Sequence, residues 1–275
     1  MRTKMSNPIF IIATGQRCGS TLLQRFLNSH HDILIWGEHN GLLIDIFRVF
    51  DKWHSWETEF CHHLALFLDN GVNNFIANMT PQSQDLDFAL VQLMENLWKA
   101  PANNLGKTVW GFKEVRYDYE ICLHLRTFFP SMKVIYLTRN ILDCFISLQH
   151  WERHSGGWER QDTIQFINNW IRINKSFIPV VGKNREWIFP VHYEMLVNDH
   201  ITVTKNLVSW LGLEIEMFDL NVFSHKIYTE RYRGKDKRPK IRKEDLTPEE
   251  IALLNTPQIV ELHKQLQLEY SLLGV

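Results

Sequence analysis

The feature that most limits how this chain can fold is an apolar run that breaks at once into a turn rich in glycine and hydroxyls. Residues 8–13, Pro-Ile-Phe-Ile-Ile-Ala, carry no polar side chain. As a strand they have no face suited to water, which places them inside a sheet covered on both sides. Thr14-Gly15-Gln16-Arg17-Cys18-Gly19-Ser20-Thr21 follows, and then Leu22, Leu23, Phe26 and Leu27 mark one face of a helix that ends near His30. A tight turn that feeds a helix leaves backbone N–H groups unpaired at the helix start, and the helix dipole adds partial positive charge there. Together these make an anion site. Gly19 permits close backbone approach, Ser20 and Thr21 add hydroxyl donors, and Arg17 adds a fixed positive charge.

The same alternation continues along the chain. Short strands are predicted at 33–36, 109–115, 133–138 and 187–192, with helices at 119–129, after Asn140, through Ile164, Ile167, Ile171 and Ile178, and at 203–211. Asn140 is the expected N-cap of its helix, with Asp143 three residues on as a capping-box partner. Thr247-Pro248-Glu249-Glu250 is a helix start with proline at the first helical position. Ile259, Leu262, Leu266, Tyr270 and Leu273 mark a C-terminal amphipathic helix. From Leu42 to Lys99 the pattern is mostly helical, and the aromatic stretch from Trp53 to Phe67 within it is expected to pack in the core. Residues 231–243 are basic and loop-like. Strands alternating with helices imply an α/β fold with a central parallel sheet flanked by helices. With no repeat and no linker, residues 1–275 are expected to form a single domain, with a mostly helical insertion at about 40–105.

Composition narrows the partners. Lys and Arg total 30 against 31 for Asp and Glu, a formal charge of −1, without the basic excess of a nucleic-acid scaffold. A small anion needs only a local cluster. No segment approaches the ~18 apolar residues of a membrane span, and a cytoplasmic location is expected. Cys18, Cys61, Cys122 and Cys144 form no CxxC pair and are expected to be reduced thiols.

The turn differs from the ATP-binding loop, GxxxxGK[ST]. Aligned on Gly19, the first glycine position holds Thr14 and the lysine position holds Ser20. That lysine serves the β and γ phosphates, so its absence suits a ligand with a single 5′-phosphate. A second candidate site starts at Arg139, at the carboxyl end of the strand at 133–138, where open α/β sheets bind ligands. Ser147 lies eight residues on, two turns into the next helix. Both can converge on one anion; equally, Arg139 can cap a helix and Ser147 can face solvent.

Taken in order, these segments resemble the PAPS-dependent sulfotransferases (PAPS is 3′-phosphoadenosine 5′-phosphosulfate). Gln16-Arg17-Cys18-Gly19-Ser20-Thr21-Leu22-Leu23 resembles their 5′-phosphosulfate loop, and Arg139-Asn-Ile-Leu-Asp143-Cys-Phe-Ile-Ser147 their 3′-phosphate motif. Trp36-Gly37-Glu38, Gly111-Phe112-Lys113-Glu114-Val115-Arg116 and Val191-His192-Tyr193-Glu194-Met195-Leu196-Val197 resemble segments of the carbohydrate and tyrosylprotein branch. The similarity runs from about Ile9 to about Leu211. It implies a P-loop-like three-layer fold. It also implies PAPS as donor, held by Arg17, Cys18, Gly19, Ser20 and Thr21 at the 5′-phosphosulfate and by Arg139 and Ser147 at the 3′-phosphate. Tyr193 would lie near the nucleotide. Cys18 stands where serine is usual, and Ile141 replaces a common proline. The basic stretch 231–243 falls where related enzymes place a nucleotide-covering loop.

Sulfuryl transfer needs positioning and charge stabilisation more than covalent catalysis. The resemblance implies Glu38 as general base, with Lys113 and Arg17 neutralising the developing charge. His39 is a reserve base. Glu38 can alternatively cap the next helix, and Lys113 can pair with Glu114 or another acid. No metal is expected, since Glu59, Cys61, His62 and His63 lack a second ligand cluster. The expected acceptor is a hydroxyl or amine of a small molecule, carbohydrate or peptide, with the helical insertion as the expected roof of its pocket. A P-loop kinase and a catalytically silent nucleotide-binding protein of the same fold are the rival classes.

Overall fold

The computed structural model describes residues 7–155, 163–225 and 241–271. Five strands form one sheet: β1 (Ile9–Ala13), β2 (Ile33–Trp36), β3 (Val109–Glu114), β4 (Lys133–Thr138) and β5 (Ile188–His192). Their order is β2-β3-β1-β4-β5 and every pairing is parallel. The apolar strand β1 sits at the centre, fully buried, with Ile9 opposite both Gly111 and Lys133. Helices cover both faces, which makes the fold α/β with a central parallel sheet.

Parallel strands put all their carboxyl ends on one edge. The loops after Ala13, Trp36, Glu114, Thr138 and His192 therefore meet there; all but the third carry a residue singled out from the sequence, and Lys113 lies at the end of β3 itself. This is the edge where open parallel sheets bind ligands.

Helix α1 (Ser20–Asn28) follows the first loop and buries Leu23, Phe26 and Leu27. The segment between β2 and β3 is helical as expected: α2 (Leu42–Phe60), α3 (His62–Asn70), α4 (Ser83–Met94), a π turn (Glu95–Lys99) and α5 (Ala100–Asn104). Its aromatic stretch is not core, however. Trp53 and Trp56 are 38% and 49% exposed, because α2 buries the opposite face through Leu43 and Phe47. Helix α6 (Tyr119–Phe128) leads to β4, and α7 (Ile141–Ser155) and α8 (Thr163–Val181) lead to β5.

Two caps were read from the sequence. Thr247 and Glu250 form a reciprocal capping box at α11 (Pro248–Leu254), with Pro248 in the first turn. Asn140 does cap α7, its Oδ1 accepting from the Leu142 N–H at 2.9 Å. Asp143 is not its partner: the Asn140 N–H goes to Glu194 Oε1 at 3.0 Å. Glu194 lies on α9 (Tyr193–Asn198), a short helix that directly follows β5 and precedes α10 (His200–Trp210). The last helix, α12 (Pro257–Ser271), buries Ile259, Leu262 and Leu266. Leu273 and residues 231–240 of the basic stretch lie outside the described residues. Among the described residues no helix is long and apolar enough to cross a membrane.

Candidate active site

The loop after β1 is held open by backbone conformation. Gly15, Arg17 and Gly19 all have positive φ, at 149°, 65° and 89°. Gly19 is the N-cap of α1 and supplies no side-chain cap. Its missing side chain also matters for space. A Cβ there would stand 2.2 Å from Cδ2 of Tyr193, whose ring lies directly over the loop. Cys18 points inward instead, its Sγ 3.3 Å from Thr14 Oγ1 and 3.4 Å from Cys144 Sγ. Of the two, Cys144 is the thiol raised well above the ordinary range, chiefly by burial. Cys18 can therefore serve an anion only through its backbone. Ser20 is also buried, whereas Arg17 and Thr21 are exposed.

Arg139, at the end of β4, reaches back to this loop. Its Nη1 donates to the Arg17 carbonyl at 2.7 Å, and its guanidinium stacks 4.2 Å from the centroid of the Tyr193 ring. Its Nε is buried and has no hydrogen-bond partner among the described residues. Ser147, on α7, accepts from Arg17 Nε at 3.1 Å. Although the residue as a whole is exposed, enclosure of its guanidinium lowers the pKa of Arg17, and the neighbouring Arg139 charge lowers it further. Two guanidiniums brought this close repel each other unless an anion sits between them. Arg17, Arg139, Ser147 and Tyr193 thus converge from four different elements, and the capping role considered for Arg139 is not what its contacts show.

The other half of the edge is built on β3. Lys113 Nζ donates to Glu38 Oε1 at 2.5 Å, and Arg116 Nη1 lies 3.3 Å from Glu38 Oε2. Glu38 does not cap α2, whose N-cap is Gly41. Nor does Lys113 pair with Glu114. The Glu114 carboxylate is wholly buried and accepts from the N–H groups of Gly41 and Val115 and from Arg116. Burial alone would raise its pKa; those hydrogen bonds and the Arg116 charge outweigh burial and hold it below the usual carboxylate value.

His39 is placed differently from Glu38. Its ring packs against Phe112, Trp98 and Tyr117, with centroids 4.6, 5.1 and 5.5 Å away. Its Nε2 meets the Tyr117 hydroxyl, which already accepts from the Leu43 N–H at 3.0 Å. Burial first of all lowers the His39 pKa and raises that of Tyr117. His39 Nε2 and the Tyr117 hydroxyl are thus paired with each other inside an aromatic cage.

This edge offers a cationic, glycine-lined loop on one side and a carboxylate clamped by cations on the other. The family profile described as Sulfotransferase family matches residues 8–217, which takes in all of these residues. The chain belongs to the sulfotransferase family. No curated protein matches this sulfotransferase. Solved structures similar to it include the sulfotransferase domain of the Synechococcus PCC 7002 olefin synthase, at 16% identity over 97% of each chain with a TM-score of 0.51. Another is the sulfotransferase domain from the curacin biosynthetic pathway, at 17% identity over 96% of this chain and 99% of that one, with a TM-score of 0.49. Mouse sulfotransferase SULT7A1 complexed with PAP is 12% identical over 97% and 89%, with a TM-score of 0.47. At these identities the first supports the fold. As a sulfotransferase the protein is an enzyme that moves a sulfuryl group.

Two residues of the site had no role assigned from the sequence. Arg116 and Glu114 both touch the Glu38 loop, contacts made across the sheet edge that no local spacing in the sequence marks.

Proposed function

We propose that this sulfotransferase takes its sulfuryl group from PAPS and delivers it to a hydroxyl or amine on a small-molecule, carbohydrate or peptide acceptor, with Glu38 as the base. The observation that carries this reading is the buried Nε of Arg139, unpartnered among the described residues, beside Arg17 and Ser147. A buried guanidinium donor without a partner is costly, and a phosphate oxygen satisfies it. The site suits a ligand with two anionic ends. Arg139 and Ser147 take the 3′-phosphate, and the loop from Arg17 to Thr21 takes the 5′-phosphosulfate. Tyr193 then lies beside the nucleotide.

PAPS supplies an activated sulfuryl group whose S–O bond to phosphate is the one that breaks. The acceptor oxygen or nitrogen forms the new bond to sulfur in line with that leaving oxygen. Glu38 takes the acceptor proton, and Lys113 and Arg17 neutralise the charge left on the bridging oxygen. Glu38 is favoured over His39 because the His39 Nε2 is already paired with the Tyr117 hydroxyl within its cage. The helical segment 42–104 forms the roof of the acceptor site. Its far end is tied to the loop carrying the base, since Trp36 Nε1 donates to the Trp98 carbonyl at 2.9 Å. Free thiols at Cys18, Cys61, Cys122 and Cys144 fit a cytoplasmic setting.

The test has two arms. Calorimetry should show 3′-phosphoadenosine 5′-phosphate (PAP) binding on the order of tenfold or more tighter than AMP, the worth of a charge-assisted bond. A screen of acceptors with labelled PAPS should identify sulfated product. Equal affinity for PAP and AMP sinks the 3′-phosphate assignment. Tight PAP binding with no acceptor turned over means a silent nucleotide-binding protein.

A further inference from the structure

We propose that Glu114 is the positioning residue of this active site: a buried carboxylate that folds the Gly37–Gly41 loop around itself and so fixes Glu38. The inference rests on the reading of Glu38 as base and adds how that base is held.

The alternation of β3 sends Lys113 and Glu114 to opposite faces. Lys113 reaches Glu38 directly; Glu114 turns inward and is 0% exposed. Every contact of its carboxylate is with a donor. Oε2 accepts from the N–H groups of His39 at 3.3 Å and Gly41 at 2.9 Å. Oε1 accepts from the N–H of Val115 at 2.8 Å and from Arg116 Nη1 at 2.7 Å.

The loop takes an unfavourable shape to make these bonds. Asn40 and Gly41 both have positive φ, at 57° and 75°. For a non-glycine residue such as Asn40 that conformation is uncommon. Successive residues of this kind aim their N–H groups into a concavity that holds an anion. Here the anion is the protein's own Glu114.

Glu38 lies one residue before the first of those N–H groups, so the fold of the loop sets where its carboxylate can go. A second route runs through Arg116, which bridges Glu114 Oε1 and Glu38 Oε2. Both Glu38 oxygens are thus held by residues flanking Glu114 in the sequence. Glu114 itself is too buried to touch a substrate. Its role is carried out through Glu38.

Glu114→Gln keeps the size but replaces one acceptor oxygen with an NH2 group facing N–H donors. Misplacing a catalytic group by about an ångström can cost on the order of a hundredfold. We expect the turnover number to fall about ten- to a hundredfold, with the KM for PAPS and the PAP Kd within about twofold of wild type. Groups that act as one unit are non-additive. In a Glu38→Gln background, adding Glu114→Gln should therefore cost less than about twofold more.

The experiment is this double-mutant cycle, run with the acceptor found in the PAPS screen and with PAP calorimetry on each variant. Should Glu114→Gln fail to give a cooperative melt, Arg116→Met, which cuts the second route, enters the same cycle with the same expectation of non-additivity. Losses that multiply overturn the proposal, as does a fall in PAP affinity that tracks the fall in turnover. Both results would mean that Glu114 supports the fold generally. A wild-type protein that sulfates no acceptor overturns this proposal together with the base assignment, and it does so before any variant is made.

Discussion

Lys113 Nζ and Glu38 Oε1 stand 2.5 Å apart, joining the cation and the base of the proposed reaction before any ligand arrives. Lys113 is only 9% exposed on its strand, and Glu38 is 28% exposed. With Glu114 and Arg116 they make a cluster in which two acids balance two bases. On the other side of β1, Arg139 donates to the Arg17 carbonyl and Arg17 donates to Ser147. The edge is therefore charge-balanced on the proposed acceptor side and presents two guanidiniums to the proposed donor side. A doubly anionic nucleotide is drawn to one side without meeting an uncompensated negative charge on the other.

Removing either partner of that pair should damage turnover more than binding. Glu38→Gln keeps the shape and removes the basicity, with an expected loss of ~10²–10⁴ in turnover and a nearly unchanged PAP Kd. Lys113→Met should lose ~10²–10³. Steady-state kinetics and calorimetry on both variants check this. If Glu38→Gln retains near-normal turnover while His39→Ala is dead, the base is His39.

Gly19→Ala should strike the nucleotide site through Tyr193. The added Cβ falls 2.2 Å from Cδ2 of that ring, and the ring must leave its place over Arg139. PAP affinity should fall by about tenfold or more, by the worth of a lost cation–π contact and displaced loop. Because the ring is one obstacle and the φ of 89° at Gly19 the other, Gly19→Ala combined with Tyr193→Ala should lose less PAP affinity than the product of the two single losses. Calorimetry on the three variants tests this, and losses that multiply would place the damage in the glycine backbone instead.

Acid should reveal Glu114. Its carboxyl is held below the ordinary value, so the folded state binds fewer protons than the unfolded chain as pH falls. The stability it contributes is complete above the ordinary glutamate pKa of about 4.3 and is lost as pH drops from there toward its folded value. Glu114→Gln lacks that portion of the pH dependence. Denaturant melts from pH 6 to pH 3 should show a shallower acid decline in the variant than in wild type; parallel curves would contradict the shift.

Divalent ions should be dispensable. Ser20 stands where an ATP loop has lysine, and the acids at the edge, Glu38 and Glu114, are each bonded to cations. Turnover is expected to persist in EDTA. Loss on chelation that Mg²⁺ restores would favour the kinase chemistry weighed against this reading.

Much of this arrangement could be read before the structure, because its determinants are local. The strands 33–36 and 133–138 fall where their apolar runs begin and end, and the parallel sheet then carries Arg17, Glu38, Lys113 and Arg139 to one edge without further information. Glu114 and Glu194 were not legible. Each is a carboxylate whose partners are backbone N–H groups far along the chain, His39 and Gly41 for one and Asn140 for the other. No spacing rule announces such a pairing. Helix α9 is six residues long, too short to display a period. Trp53 and Trp56 have helical spacing, but α2 carries apolar residues on more than one face, and only the position of α6 decides that Leu43 and Phe47 are the ones buried.

The central place of β1 has a consequence for the newborn chain. Ile9 finds its partners only at Gly111 and Lys133, so this strand waits for β4 to be made before both its edges are covered. Such distant pairings close slowly. During synthesis at about 5–20 residues per second, the most apolar strand of the protein stays exposed for seconds, and the loop that follows it has no sheet to hang from. A peptide covering only residues 8–28 should accordingly show no affinity for phosphate, and ribosome-bound chains truncated before β4 should be the ones that chaperones hold.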